Sequence, residues 1–323
     1  MSTPPVLEVD KLVKHFPIHG GLLQRQVGAV KAVDGVSFSI AKGETLGLVG
    51  ESGSGKSTIG KTVLNLLDPT GGRILLGGTD VTHLKPGAMW PHRRQIQTIF
   101  QDPYSSLNPR LTAGTIVGEP LENFGIATGR ERDERVAQLF LRVGLRPEAM
   151  RKYGHEFSGG QRQRLGIAKA LAVNPELIVA DEPVSALDVS VQAQVLNLMI
   201  DLQEEFSLAY LFISHDLAVM RHISHRIAVM YLGRIVEITD KRRLFNSPLH
   251  PYTEALLSAA TAPDPRRRRR SKRIVQGDVP SPANPPPGCH FHTRCPYAVA
   301  DCKVTSPLLK ESAPGHLVAC HLR

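Results

Sequence analysis

The nine residues GESGSGKST, Gly50 to Thr58, constrain this 323-residue chain more than any other feature. They fit the pattern G-x-x-x-x-G-K-[ST], in which glycines allow backbone N–H groups to close around phosphate oxygens. A short apolar run, Thr45 to Val49, precedes the motif, and a helix is expected from about Lys56 to Leu67. Strand, glycine loop and helix together predict a phosphate-binding loop, with the helix N-terminus adding positive charge near the phosphates.

Two residues of this phosphate cradle have distinct expected tasks. Lys56 should reach the β and γ phosphates of ATP, and the Ser57 hydroxyl should bind Mg²⁺. A glycine-rich turn formed by chance is the alternative, and the flanking strand and helix argue against it. The predicted cradle consists of Gly50, Glu51, Ser52, Gly53, Ser54, Gly55, Lys56, Ser57 and Thr58.

A second apolar run, LIVA from Leu177 to Ala180, ends in the two acids Asp181 and Glu182. Ligands of open α/β sheets bind at the carboxyl ends of the strands. Asp181 is therefore a candidate Mg²⁺ ligand, acting through water, and Glu182 is a candidate general base for the attacking water. Strands often end in acids, so this prediction depends on the phosphate loop elsewhere in the chain.

The segment FSGGQ begins another expected helix, from about Gly160 to Val173. Ser158 is a good N-cap, and the following glycines leave N–H groups open to an anion. One nucleotide scarcely needs two such helix ends from one chain. We therefore expect Ser158, Gly159, Gly160 and Gln161 to cover a nucleotide held by another subunit, with an ordinary capped helix as the alternative.

The remaining pattern alternates strands and helices, which predicts a largely parallel sheet covered on both faces. Short strands around a loop are expected at Val6–Ile40, and an irregular segment at Gln101–Glu122 because three Pro residues interrupt it. Further elements are expected as helices at Glu131–Val143 and Val189–Glu205 and as a strand at Ala209–Ser214.

The order of these motifs resembles that of the ATP-binding-cassette ATPases. It comprises GESGSGKST, Gln101 in IFQDP, FSGGQ, LIVADEP, SALD from Ser185 to Asp188, and His215 in ISHD. The resemblance covers nearly all of residues 6–240 and implies an α/β P-loop NTPase core with a mostly parallel sheet and an antiparallel β subdomain. The character of the sequence changes after about Phe245, and half of the 24 Pro residues lie beyond residue 240. A nucleotide-binding domain is therefore expected at 1–245, with a helical subdomain at about 102–172.

The resemblance also implies roles for four further residues. Gln101 would sense Mg²⁺ and the attacking water and couple the site to a membrane partner. Asp188 would contact the opposite subunit, and His215 would bond the γ-phosphate and the water. Phe16 would stack on adenine, although the insertion Pro17–Ala29 separates it from the cradle; a core residue is the alternative.

Three segments resemble the ATPases of oligopeptide and dipeptide importers: SSLNPR (105–110), PLHPYTEALL (248–257) and the cysteine-containing tail of the extension 246–323. This implies a peripheral protein on the cytoplasmic face of the inner membrane. Its implied partners are a paralogous cassette or a second copy, two transmembrane permeases and, indirectly, an extracytoplasmic solute-binding protein. Related members carry nickel, glutathione or plant-derived compounds, so the solute stays open.

All four cysteines lie in the last 35 residues, at Cys289, Cys295, Cys302 and Cys320. Four thiolates can hold Zn²⁺ or a [4Fe–4S] cluster, and spacings of five, six and seventeen residues match neither a zinc ribbon nor a ferredoxin. The chemistry leaves the metal open, with free buried thiols as a further alternative. Resemblance to the peptide-importer branch implies the iron–sulfur cluster. Candidate spare ligands, or plain surface residues, are His290, His292, His316 and His321.

The net charge of +9 belongs entirely to residues 241–323, which hold 14 Lys+Arg and 5 Asp+Glu. Its densest part, 266–273, could attract anionic lipid or nucleic acid, but a solvated connector is the favoured interpretation. No aromatic residues interleave there, so no nucleic-acid partner is expected. No window approaches 18 apolar residues and the start lacks a secretory signal, so we expect a cytoplasmic protein.

Two rival functions differ from transport. A soluble cassette ATPase acting on DNA or ribosomes usually carries two cassettes or long coiled-coil insertions, and this sequence has neither pattern. A regulatory cassette that binds ATP without turnover would not need Glu182, which is present.

Overall fold

The protein is described by a computed structural model that covers residues 4–20, 25–101, 107–260 and 277–323. The basic run 266–273 and Ser105–Ser106 of SSLNPR lie outside the described residues. The described chain forms two compact units. The first, which we call the helical unit, contains residues 4–6, 40–44 and 84–212; the second, the cradle unit, contains the described parts of 7–39, 45–83 and 213–323.

The strands within the described residues are β1 (Leu7–Gly20), β2 (Arg25–Ile40), β3 (Thr45–Val49), β4 (Gly71–Leu76), β5 (Thr79–Asp80), β6 (Ile96–Ile99), β7 (Leu177–Asp181), β8 (Ala209–Ile213), β9 (Arg226–Tyr231), β10 (Arg234–Asp240), β11 (Lys310–Ala313) and β12 (His316–Val318). The α-helices in the same ranges are α1 (Lys56–Val63), α2 (Pro86–Arg93), α3 (Ala113–Asn123), α4 (Gly129–Arg142), α5 (Gly159–Leu171), α6 (Val189–Phe206), α7 (Leu217–Ile223), α8 (Lys241–Asn246), α9 (Pro251–Ala260) and α10 (Ala300–Val304).

The helical unit contains β6, β7 and β8 in the order β8-β7-β6, together with α2 to α6. Strands β6 and β7 are parallel, with Ile96 opposite Leu177 and Ile99 opposite Ala180. Both strands therefore end at the same edge. This register sets the positions of Gln101 and Glu182, each of which lies two residues beyond the last paired residue of its strand.

The segment Gln101–Glu122 was expected to be irregular, but most of its second half forms helix α3. Apolar residues recur at spacings of three and four, and one face of α3 is buried through Ala113, Ile116, Val117 and Leu121. Pro120 lies on that same buried face. Burial of the apolar face outweighs the backbone hydrogen bond that Pro120 cannot donate.

The cradle unit combines two sheets. One has the order β2-β1-β4-β5, with β1 antiparallel to β4; this is the predicted antiparallel β subdomain. The other contributes the order β11-β12-β10-β9-β3, where β3 is parallel to β9 and β9 is antiparallel to β10. Mixed parallel and antiparallel pairing confirms the predicted α/β fold class. Strands β1 and β2 span 14 and 16 residues, so the prediction of short strands in this region was wrong.

Helix α1 is shorter than predicted. It ends at Val63 rather than near Leu67, because Asn65 takes a left-handed conformation with φ +54°. Asn is one of the few residues other than glycine that adopts this conformation at low cost.

A buried carboxylate connects the C-terminal residues to the rest of the cradle unit. Glu237 on β10 accepts hydrogen bonds from the backbone N–H groups of Leu249 and His250, at 2.8 and 3.0 Å. His316 on β12 lies 2.7 Å from the same carboxylate, and β12 pairs with β10. A buried charge needs such partners. The predicted domain boundary between residues 245 and 246 stays a prediction.

Candidate functional site

The phosphate cradle follows β3, all five residues of which are buried. Its glycines meet a steric demand that the sequence predicted. Gly55 has φ +107°, and a Cβ placed on it would lie 2.0 Å from the carbonyl oxygen of Ala32. Any other residue would clash with the backbone there, so Gly55 allows the loop to close tightly before α1 begins at Lys56.

Lys56 is only 6% exposed, although it is charged. Its ammonium donates hydrogen bonds to the carbonyl oxygens of Gly50 and Glu51, at 2.8 and 3.0 Å, and to Ser54 Oγ at 3.4 Å. These bonds compensate the burial of the charge. They also concentrate one positive charge at the centre of the loop, which is where a phosphate group would be bound.

Gln101 and Glu182 are in contact at the carboxyl ends of the parallel strands β6 and β7. Gln101 Nε2 donates to Glu182 Oε2 at 3.2 Å. Glu182 has φ +48°, a left-handed conformation that is costly for a residue other than glycine. Such strain is found most often at functional sites, where the surrounding structure imposes it.

The turn that follows Glu182 is held by short-range hydrogen bonds. Ser185 donates to the carbonyl oxygen of Glu182 through its backbone N–H at 3.2 Å and through its hydroxyl at 3.0 Å. The chain then enters α6, for which the exposed residue Asp188 is the N-cap. The SALD segment therefore directly supports the strained backbone of Glu182.

Ser158 and Gln161 form a capping box at the start of α5, as the choice of Ser158 as N-cap predicted. Gln161 N–H donates to Ser158 Oγ at 3.4 Å, and Ser158 N–H donates to Gln161 Oε1 at 3.0 Å. The buried Arg162 fixes the preceding turn, because its Nε donates to the carbonyl oxygen of Gly154 at 2.7 Å. The first N–H groups of a helix have no partner within the helix. Those of Gly159 and Gly160 therefore suit an external anion.

The remaining predicted nucleotide contacts belong to the cradle unit. His215 is exposed and stands just before α7, whose N-cap Asp216 accepts from the Ala218 N–H at 2.7 Å. Phe16 on β1 is partly exposed, with the Lys14 ammonium 5.0 Å from its ring centre. Its exposure disfavours the alternative in which Phe16 is only a core residue.

The predicted site residues are thus distributed over both units. The cradle, His215 and Phe16 belong to the cradle unit, whereas the helical unit holds Gln101, Glu182, the SALD segment and the start of α5. Asp181 ends β7 in the helical unit and is partly buried. The structure brings Gln101 and Glu182 into direct contact, because β6 and β7 are parallel and end at the same edge.

Glu51 has two partners that its local sequence does not predict. Arg294 pairs with its carboxylate, and the Tyr252 hydroxyl accepts from its backbone N–H. More than 200 residues separate Glu51 from either partner. Nothing in the local pattern indicates these contacts, although both residues lie in segments that the importer resemblance had singled out.

The four cysteines of the tail are free thiols in the cradle unit. The pKa of the Cys289 thiol is raised to about 11, by burial first and then by the charges of Cys302, Cys295 and Cys320. Burial also raises the pKa of Cys295 and of Cys320. Across the described residues, however, no group of three or more His, Cys, Asp or Glu side chains stands in a metal-binding arrangement.

The histidines considered as spare ligands each have a protein partner. His292 Nδ1 lies 2.8 Å from the carbonyl oxygen of Cys289, and His321 Nε2 lies 2.8 Å from that of Thr305. His290 and His316 are buried, so the alternative of plain surface residues was wrong for these two. His290 contacts the carbonyl oxygen of Leu232 and His316 contacts Glu237.

Comparison with known proteins places these motifs in a family. Residues 33–185 match the ABC transporter family, and residues 236–302 match the C-terminal region of oligopeptide/dipeptide transporters. The oligopeptide transport ATP-binding protein AppF of Bacillus subtilis (strain 168) is 59% identical over 321 residues, covering 98% of this chain and 97% of AppF. This chain belongs to the ATP-binding-cassette family. The resemblance predicted from the motifs is therefore confirmed.

Another relative and a solved structure belong to the same family. The probable peptide ABC transporter ATP-binding protein y4tS of Sinorhizobium fredii (strain NBRC 101917 / NGR234) is 56% identical, covering 98% of this chain and 90% of y4tS. Among solved structures, the ATP-binding cassette MJ0796, a dimer bound to ADP and Pi, matches with a TM-score of 0.65 and 29% identity. That match covers 73% of this cassette and 99% of MJ0796.

The cassette has no helix, within the described ranges, that is long and apolar enough to cross a membrane.

Proposed function

We propose that this cassette is the ATP-hydrolysing subunit of an importer for dipeptides or oligopeptides. The observation that carries the proposal is full-length similarity to peptide-transport ATP-binding proteins, which includes the C-terminal region as well as the cassette. The cassette alone would suit many transported solutes, so the C-terminal region is what favours peptides. These similarities do not favour nickel, glutathione or another small solute, nor a soluble cassette acting on nucleic acid or ribosomes.

In the proposed site, the cradle from Gly50 to Thr58 holds the phosphates of ATP. The Lys56 ammonium exchanges its bonds with loop carbonyl oxygens for bonds with the β and γ phosphates. Ser57 and Asp181 would hold Mg²⁺, since hydroxyl and carboxylate oxygens are the ligands this ion prefers. Bound Mg²⁺ supplies neutralisation of the charge that develops on the phosphates.

The proposed base is Glu182, which accepts a proton from the water that attacks the γ-phosphate. Gln101 orients this carboxylate, and their hydrogen bond supports the assignment. His215 donates to the γ-phosphate and positions the water. Phe16 stacks on the adenine ring, for which a partly exposed aromatic side chain is suited.

We further propose that two cassettes close on two ATP molecules. Ser158, Gly159, Gly160 and Gln161 then cover the nucleotide held by the partner's cradle, where the positive end of α5 stabilises the phosphates. Asp188 contacts the opposite subunit beside that nucleotide. The partner is a paralogous cassette or a second copy of this chain.

Because a motor for import must act on a membrane channel, we expect two multi-span membrane permeases to copurify with the tagged cassette from solubilised membranes. Such an assembly sits at the cytoplasmic face of the inner membrane and receives its solute from an extracytoplasmic binding protein. The measurement is mass spectrometry of the purified complex. A pool bound to ribosomes, without permeases, would contradict the transport function.

We also propose that Cys289, Cys295, Cys302 and Cys320 hold a [4Fe–4S] cluster, with Zn²⁺ as the alternative. Four cysteine thiols within the last 35 residues supply the donor set for either metal. Bound iron or zinc would stabilise the thiolate form, which burial disfavours at Cys289 and Cys295. The cluster would have a structural task, since it would crosslink loops in a small module.

Purification under anaerobic conditions tests this assignment. We expect brown protein with about four iron and four sulfide per chain, because that is the composition of the cluster. Cys302→Ser should abolish the colour, whereas His292→Ala, which changes a neighbouring histidine, should keep it. Colourless protein with one zinc per chain would show that the cysteines bind Zn²⁺ and not a [4Fe–4S] cluster.

A further inference from the structure

Residues of the C-terminal extension hold the cradle residue Glu51 at two points. Arg294 donates to the Glu51 carboxylate through both terminal nitrogens, at 3.0 Å from Nη1 to Oε2 and 3.3 Å from Nη2 to Oε1. The backbone N–H of Glu51 donates to Tyr252 Oη at 2.9 Å. A forked guanidinium–carboxylate pair is geometrically specific. Glu51 is therefore fixed in both backbone and side chain.

The position of Arg294 is itself well determined. Its side chain is 8% exposed and lies beside the ring of Tyr231, whose hydroxyl accepts from Nη1 at 3.4 Å. The buried Nε has no hydrogen-bond partner among the described residues, so the Nη atoms make the polar contacts that compensate burial. Although burial opposes the charge, the bonds to Glu51 and Tyr231 leave the pKa of Arg294 above its usual value.

A buried aromatic cluster forms the support for these contacts. Tyr231 packs against Tyr252 and Phe291, with ring centres 4.7 and 5.3 Å apart, and Tyr252 lies 5.4 Å from Phe291. The backbone N–H of Arg294 donates to the carbonyl oxygen of Phe291 at 3.0 Å. The chain between Cys289 and Cys295 thus places Arg294 against the cradle as one packed unit.

We propose that Arg294 is a positioning residue of the nucleotide site: it neutralises and holds Glu51, so that the cradle binds ATP tightly. The inference rests on the proposed ATP site. Glu51 is 30% exposed and stands in a loop that must attract a highly anionic ligand. An uncompensated carboxylate there would repel the phosphates. When Lys56 turns from the Glu51 carbonyl oxygen to ATP, Arg294 and Tyr252 remain as anchors of this residue.

The test is a double-mutant cycle on the full-length protein, measured as the Kd for Mg–ATP by calorimetry. Arg294→Gln should weaken binding about tenfold, because it leaves the Glu51 charge unpaired beside the phosphates. Glu51→Gln removes that charge. In the Glu51→Gln protein, Arg294→Gln should raise the Kd less than about twofold, because the effects of two interacting residues are not additive. Arg294→Lys should be intermediate, because a lysine cannot form the fork.

Two controls separate this role from general stability. Arg323→Gln removes an exposed arginine of the same extension, which pairs with Glu254 at 3.7 Å, and should leave the Kd unchanged. Thermal melting shows whether each variant is folded, and Arg294→Lys supplies the test if Arg294→Gln unfolds.

Equal penalties for Arg294→Gln with and without Glu51 would overturn the proposal, as would an unchanged Kd. A wild-type protein that binds no nucleotide would instead overturn the proposed function, and this inference with it.

Discussion

Glu182→Gln is expected to retain ATP binding and to lower the rate of hydrolysis by about 10²- to 10⁴-fold, the usual contribution of a general base. The cradle that binds the phosphates is unchanged, whereas the amide cannot accept a proton from water. Glutamine has the same length and meets the same backbone cost at φ +48°, so the turn should survive. The measurements are the Kd for Mg–ATP and single-turnover release of phosphate.

The matched control is Glu204→Gln, which makes the same chemical change at an exposed position on α6. It should alter neither binding nor turnover. Normal turnover in Glu182→Gln would remove Glu182 from its role as base. If Glu182→Gln lost ATP binding as well as turnover, Glu182 would have a structural role in the nucleotide site and would not act in the chemical step.

Ser158→Arg should abolish hydrolysis, with a fall of at least about 10²-fold, while each chain still binds ATP on its own cradle. The long side chain would cover the N–H groups at the start of α5, which are proposed to stabilise the partner's nucleotide. Removing one such preorganised donor set typically costs 10²- to 10³-fold in rate. Phosphate release and equilibrium binding of ATP, measured on the same preparation, separate the two effects.

Loss of the helix cap could mimic this result, and the chain offers controls for it. Ser158→Asn preserves an equivalent cap, so any loss of rate reports the contact across the dimer. Thr112→Ala removes the cap of α3, where Thr112 accepts from the Thr115 N–H at 3.4 Å, the same length as the cap bond of Ser158. Thr112→Ala should lose stability but keep turnover. Equal loss of turnover in Thr112→Ala and Ser158→Arg would contradict the role of α5.

Local pattern predicted the elements around the phosphate loop better than it predicted the rest of the chain. Strand β3 and the tight loop before Lys56 follow from short-range sequence signals, whereas strand β6, which places Gln101 beside Glu182, was not predicted. Helix α3 was missed because Pro120 was weighted above the apolar periodicity around it. The end of α1 was misplaced because Asn65 terminates it in a left-handed conformation.

Contacts between distant segments could not be predicted from one sequence. The pair of Arg294 with Glu51 joins residues separated by 243 positions, and that of His316 with Glu237 joins residues separated by 79. The local sequence around Arg294 or His316 does not predict which distant residue pairs with it. Only the fold, which brings the tail beside the cradle and β10, shows that these charged groups are paired.

In the proposed motor, the cradle forms half of a nucleotide site and a second cassette supplies the other half. The decisive measurement is light scattering of Glu182→Gln protein, alone and with any cassette that copurifies. We predict that ATP doubles the mass from one cassette to two, with two ATP bound per pair. The doubling should not occur when Ser158→Arg is combined with Glu182→Gln in the same chain. ATP bound by a cassette that keeps the mass of one chain in both mixtures would contradict the claim.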